Sequence, residues 1–372
     1  MNPVDAMSPR RLLDTFASQR GRRAGHGHPM ILDKEGRPVS VETMARLVAE
    51  DVFGSATARC LGATPCEGAA GTTYRLDFEH GGRRRILYVK LPTKSVERHA
   101  LFAQRLRDEY RFTCEIAQAF PETATLKTVT PAAFVEAVQG FATWATPGVS
   151  LEDRLRQRCR RFGGPLDEAR VWCVQAAAWL DAFHRLPCPY SVAAARAWID
   201  TYLDDRLVTL ANHCGSGVSE RLASDLKSSL MRMVDNELAH RPVVRCHNDY
   251  SPHNMLLDGF SLCVLDYSFA GPGLSSFDVA CFWHKLDDIR ESPTHDPRRV
   301  TALQEAFIGA SATPDLASPA VTLGIARLVL SKMVTRLRKP TWRPYLRFAQ
   351  RRRYRNWLRW LESGFDPRHL IT

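Results

Sequence analysis

The chain has 372 residues, 45% hydrophobic, 24% charged and 9% aromatic, a balance that excludes a disordered, collagenous or low-complexity chain. Its length suits two domains, or one domain of two lobes, and no uncharged apolar run reaches the ~18 residues of a membrane span. The formal net charge of +11 favours anionic ligands: nucleotides, phosphorylated sugars, nucleic acid or anionic lipid.

Residues 1–40 are polar and rich in Arg, Gly and Pro, and read as a flexible arm without a secretory signal. Val41, Met44, Leu47 and Val48 recur at helical spacing and predict a helix over 41–52. Residues 57–62, 72–78 and 85–91 read as strands, with Gly68, Gly71, Gly81 and Gly82 in the turns between them. A long amphipathic helix is expected over 96–120, then strands at 126–130 and 134–143. Past Pro147-Gly148 the pattern turns helical, at 151–161, 166–186 and 218–240. Two short strands, 255–257 and 262–265, flank an Asp258-Gly259 tight turn. Further helices fit 277–287, 300–307, 321–337 and 344–361. The expected class is α+β in two lobes: a small β-rich one over 41–147 and a larger α-helical one over 148–372. None of the ten cysteines forms a C-x-x-C pair, so reduced, buried thiols in a cytoplasmic protein are expected.

The chemistry concentrates in Val243-Val244-Arg245-Cys246-His247-Asn248-Asp249-Tyr250-Ser251-Pro252-His253-Asn254, followed by Leu262-Cys263-Val264-Leu265-Asp266. Asn254 opens one strand and Asp266 ends its antiparallel partner, so the turn brings the two side by side. An amide oxygen and a carboxylate together suit Mg²⁺. Asp249, in the loop before Asn254, can accept a proton from an attacking hydroxyl. Two other readings stay open: a polar loop braced by a His-Asp pair, and a metallohydrolase using His247, Asp249 and His253.

The H-x-D-x-x-x-x-N motif, with an Asp twelve residues on and Ser276-Phe277-Asp278-Val279-Ala280 after it, resembles the aminoglycoside phosphotransferase and choline kinase-like small-molecule kinases. The resemblance implies a bilobal, protein-kinase-like fold and the cofactors ATP and Mg²⁺. It makes Asp249 the catalytic base, Asn254 and Asp266 the metal ligands, His247 a brace of the loop, and Asp278 a support for the loop or cap of the next helix. The chain departs from the family at Asn248, usually Gly, which tolerates left-handed geometry. Tyr250 replaces an apolar residue, and Asp266-Tyr267-Ser268 has no Phe-Gly. The next helix follows too soon for a protein-kinase activation segment.

Upstream, Lys90 ends an apolar strand, and Glu109 on the following helix is its expected ion-pair partner, with Glu115 the nearest rival. Gly68 and Gly71 precede that strand and suit either a phosphate-cradling loop or a plain hairpin turn. Residues 141–145 read as the hinge, where Trp144 flanks a base or packs between lobes. His184 reads as a satisfied core or capping histidine. The tail interleaves arginines with Trp342, Tyr345, Phe348, Tyr354, Trp357 and Trp360. It either docks on the helical lobe or, over residues 343–361, contacts an anionic acceptor or the inner membrane surface; nucleic acid is disfavoured. The expected partner is a small-molecule hydroxyl acceptor: a sugar, amino-alcohol or glycan. The basic balance points to an anionic or lipid-linked one rather than a polycation. The alternative is a non-catalytic nucleotide-binding adaptor docking on anionic membrane or nucleic acid through the tail.

Overall fold

The computed structural model describes residues 31–54, 58–66, 72–92, 99–312, 318–338 and 344–365. The described residues divide into two compact units, one within 31–149 and 255–270, the other within 150–254 and 271–365. The segment 255–270 therefore groups with the β-rich part, not with the 148–372 lobe expected from the sequence.

In the first unit, β1 (Ile31–Leu32) and β2 (Pro38–Val39) form a small antiparallel pair, and Ile31 and Leu32 are buried. The expected flexible arm thus does not extend over 31–40, because its two apolar residues find the core; residues 1–30 lie outside the described ones. Helix α1 (Val41–Phe53) starts at Ser40, whose side chain accepts the Thr43 N–H, and stops at Gly54 in a left-handed cap. Strands β3 (Arg59–Pro65), β4 (Thr72–His80) and β5 (Arg83–Leu91) precede helix α2 (His99–Ala119). After α2 come β6 (Leu126–Thr128), β7 (Pro131–Val135) and β8 (Gly140–Trp144). The main sheet is antiparallel in the order β3-β4-β5-β8-β7. Period-two alternation buries Tyr74, Leu76, Phe78, Leu87, Val89 and Leu91 against Met44, Ala45, Val48 and Ala49 of α1. Lys90 falls on the opposite face of β5. The single strand expected over 134–143 is a hairpin instead: a 3₁₀ turn at Glu136–Val138 and left-handed Gln139 reverse the chain, so that Val135 pairs with Gly140.

The chain leaves this unit through β9 (Val149–Ser150) and continues as α3 (Leu151–Cys159), α4 (Asp167–His184), α5 (Val192–Ala211) and α6 (Glu220–His240). Strand β10 (Val244–Cys246) leads into the loop 247–254. The chain then returns to the first unit as the hairpin β11 (Met255–Asp258) and β12 (Ser261–Val264), in a sheet of order β6-β12-β11-β9. Strand β13 (Gly271–Gly273) pairs antiparallel with β10 in the second unit. Helices α7 (Ser275–Asp287), α8 (Pro297–Ala310), α9 (Pro319–Arg338) and α10 (Pro344–Glu362) complete that unit. Helices α7 and α9 approach closely at Gly324, where a Cβ would lie 2.7 Å from the Cβ of Ala280 and 2.9 Å from the Ser276 carbonyl oxygen.

The basic tail packs on the helical unit. Trp357, Trp360 and Leu361 of α10 are buried. Arg353 pairs with Glu291 at 2.9 Å and Asp288 at 3.3 Å, and also with Asp287. Arg351, Arg352, Arg355 and Arg359 remain exposed. Among the described residues, no helix is long and apolar enough to cross a membrane.

Candidate active site

In the first unit, three groups from distant parts of the chain meet. Lys90 Nζ donates to Glu109 Oε1 at 2.5 Å and to Asp266 Oδ1 at 2.9 Å. Glu109 is buried on α2; the rival Glu115 is not the residue that pairs with Lys90. Burial alone would lower the Lys90 pKa, but the Asp266 and Glu109 carboxylates outweigh it and hold the ammonium above its ordinary value. Burial and the like charge of Asp266 outweigh the pull of Lys90 and leave Glu109 raised to about 7. Asp266 sits in the left-handed region (φ 63°), two residues past β12, and its Oδ1 also accepts the hydroxyl of Ser268. Next to it Tyr267 is buried, with its hydroxyl 2.5 Å from Thr128 Oγ1 on β6.

In the second unit, the loop 247–254 hangs on Asp278. The buried Asp278 carboxylate accepts the backbone N–H of His247 and of Asn248, both at 2.7 Å, and the Nε2–H of His184 at 3.0 Å. Asn248 is left-handed (φ 62°), the geometry a glycine would otherwise supply. His247 is fully buried, with its ring 5.8 Å from that of Tyr250. Tyr250 stacks on Trp179 of α4 and donates its hydroxyl to the Ala176 carbonyl at 2.6 Å.

Asp249 stands at the far end of this scaffold. Asn254 Nδ2 donates to the Asp249 carbonyl oxygen at 3.0 Å and to its Oδ2 at 3.2 Å. His253 Nε2 lies 3.5 Å from Oδ2, and Lys285 Nζ of α7 lies 3.9 Å from Oδ1. Burial would raise the Asp249 pKa, but His253, Lys285 and His247 together hold it below the usual carboxylate range. Asp249 is therefore an ionised acceptor at neutral pH.

Asn254 spends its amide hydrogens on Asp249, which leaves Oδ1 as an acceptor. That oxygen and, in the first unit, the Asp266 carboxylate are each hard donors of the kind Mg²⁺ takes. Along the chain, Asn254 directly precedes Met255, whose partner in register is Val264, two residues before Asp266.

The metallohydrolase reading finds no support. His253 contacts Asp249, but His247 packs on Tyr250. The metal-type side chains that converge among the described residues are His184, Cys246 and Asp278, and both Asp278 oxygens already serve the loop.

Gly68 and Gly71 lie outside the described residues. Trp144 does not flank the Lys90 face. It shares the α1 side of the sheet, with its ring 5.8 Å from that of Phe53. The backbone N–H groups of Trp144 and Ala145 go to Thr130 and Ile86 carbonyls, so they are used within the unit rather than offered to a base.

Lys285 was not singled out in the sequence. The signal was present: it follows Asp278 by seven residues on one helix, two turns along the same face.

The phosphotransferase enzyme family matches residues 63–314 of the chain. A search of curated proteins finds no match. Among solved structures, the streptomycin-ATP ternary complex of APH(2")-IIa is 13% identical, with a TM-score of 0.51 over 90% of this chain and 99% of its own. A choline/ethanolamine kinase family protein from Mesorhizobium loti is 16% identical, with a TM-score of 0.50 over 88% of this chain and 97% of its own. The Plasmodium vivax ethanolamine kinase is 9% identical, with a TM-score of 0.52 over 97% of this chain and 94% of its own. At such identities the likeness is one of fold.

Proposed function

As the chain belongs to the phosphotransferase enzyme family, we propose that it is an ATP- and Mg²⁺-dependent kinase that phosphorylates a hydroxyl of a small molecule. The observation that carries this reading is the Lys90 ammonium held between Glu109 and Asp266, residues that lie 19 and 176 positions away in sequence. Phosphoryl transfer needs little covalent help from the protein; it needs fixed charge and position.

In this reading Lys90, kept charged, orients the nucleotide phosphates, and Glu109 fixes its direction. Asn254 Oδ1 and the Asp266 carboxylate hold Mg²⁺, which when bound neutralises phosphate charge. Asp249 accepts a hydrogen bond from the acceptor hydroxyl, aligns it and takes its proton. Asp278 and His247 keep the loop in the shape this requires. The acceptor is a sugar, amino-alcohol or glycan, and the charge balance supports an anionic or lipid-linked one.

The test is ADP release with a panel of such acceptors, and with water as acceptor, on wild type and Asp249→Asn. Turnover is expected to fall by about 10²–10⁴-fold in the variant, while ATP binding stays within about twofold. Near-normal turnover would contradict the assignment of the base. ATP binding with no turnover in the wild type would favour the adaptor reading.

A further inference from the structure

We propose that Lys285 of α7 is a second catalytic residue beside Asp249: its ammonium binds the oxygens of the phosphoryl group during transfer. The inference rests on the kinase reading above and goes beyond it, because the sequence motif contains no residue for this task.

Helix α7 does two things for the loop. Near its start, Asp278 pins the backbone of His247 and Asn248. Two turns later the same face presents Lys285, whose Nζ lies 3.9 Å from Asp249 Oδ1. That distance is an ion pair but not a hydrogen bond. Among the described residues no side chain or carbonyl accepts a hydrogen bond from Lys285 in return. An ammonium with three donors is thus held beside the base and left with donors to spend. Its side chain is 28% exposed.

The point it reaches is set by the chemistry. A hydroxyl bonded to Asp249 sits about 2.6–3.2 Å from the carboxylate. The phosphorus it attacks sits about 3–3.5 Å further on. The equatorial oxygens of that phosphorus fall within reach of a cation placed beside the carboxylate. In the step, the acceptor O–H bond breaks and its proton passes to Asp249. The oxygen–phosphorus bond forms, and the bond from the γ-phosphorus to the bridging oxygen breaks. Its electron pair leaves on ADP. Lys285 keeps all its protons and binds charge throughout.

A positioning role would look different. There, Lys285 would only keep Asp249 ionised, together with His253 and His247, while the Cys281 thiol of α7 also faces that carboxylate. An acceptor-anchoring role would differ again.

The experiment is acceptor-free Mg·ATP hydrolysis, with water as acceptor, from pH 5 to 9, together with the Kd of Mg·ADP. The proteins are wild type, Asp249→Asn, Lys285→Met, Lys285→Gln and Lys285→Arg, each checked by thermal unfolding. The expected result is a loss of about 100-fold in kcat at every pH for Met and Gln. Arg should restore part of the rate, and Mg·ADP affinity should stay within twofold. A loss that disappears by pH 9 overturns the proposal in favour of positioning. Unchanged hydrolysis in both Met and Gln also overturns it. Wild-type hydrolysis that Asp249→Asn does not diminish overturns the kinase assignment itself.

Discussion

Asp278 is a buried carboxylate with two backbone N–H groups and one imidazole bound to it, and no neighbouring lysine or arginine among those partners. Removing it strands two amide donors inside the protein. Asp278→Ala should therefore cost about 3–5 kcal/mol of stability and nearly all turnover, read by denaturant unfolding and ADP release. A variant within 0.5 kcal/mol of wild type would mean that the loop is held by other contacts. Tyr250→Phe removes one hydrogen bond, to Ala176. It should cost about 1 kcal/mol and leave turnover largely intact, because the ring stack on Trp179 survives. Asp249 makes a pH prediction. Its folded pKa is depressed, so its contribution to stability is complete above the unfolded value of about 3.9 and is lost as pH falls through the folded value. The pH profile of kcat should accordingly show no acid limb from this group above about pH 5. A limb near pH 6 that moves on Asp249→Glu would contradict that.

At the scale of elements, what the sequence revealed depended on how cleanly burial followed period. Strands β4 and β5 alternate strictly and were legible, as were α1 and α6. Helix α5 was not. Its buried face, Ala195, Ile199, Leu203 and Leu207, repeats every four residues. The pattern is blurred because Val192 and Val208 are half exposed, at 51% and 50%, while Arg206 is buried. That arginine stacks on Tyr202 and bonds Ser331 Oγ at 3.1 Å, partners no local pattern announces. The loop 247–254 was legible as a polar segment because it sits between two apolar strands. Lys285 was hidden, since a lysine on a helix ordinarily reads as a solvated one. Helix α10 was legible in outline, and the structure decides which arginines are spent. Trp357→Ala should cost about 3–5 kcal/mol in thermal or denaturant unfolding. Replacing Arg351, Arg352, Arg355 and Arg359 by Ala should stay within about 0.5 kcal/mol each. A large loss from the exposed set would mean that they, rather than the aromatic residues and Arg353, anchor the helix.

At the scale of the whole molecule, the chain enters the β-rich unit twice. Residues 255–270 return to it after the mainly helical stretch 150–254, and they carry Asp266 to Lys90. A linear reading divides the chain at Pro147-Gly148 and cannot see that return, because the pairing of β12 with β6 is between segments far apart in sequence. It is this return that joins the Lys90 strand to the segment that ends at Asp266. A metal-nucleotide ligand bound there should stabilise the fold as a whole, by about 2.7 kcal/mol at a hundredfold excess over its Kd. The measurement that tests this most directly is thermal unfolding with ATP, with and without Mg²⁺, on wild type and Asp266→Asn. The account predicts a rise in Tm that requires Mg²⁺ in the wild type and disappears in the variant. A shift that ignores both Mg²⁺ and Asp266 would contradict it and leave ATP as a polyanion held by the surface arginines.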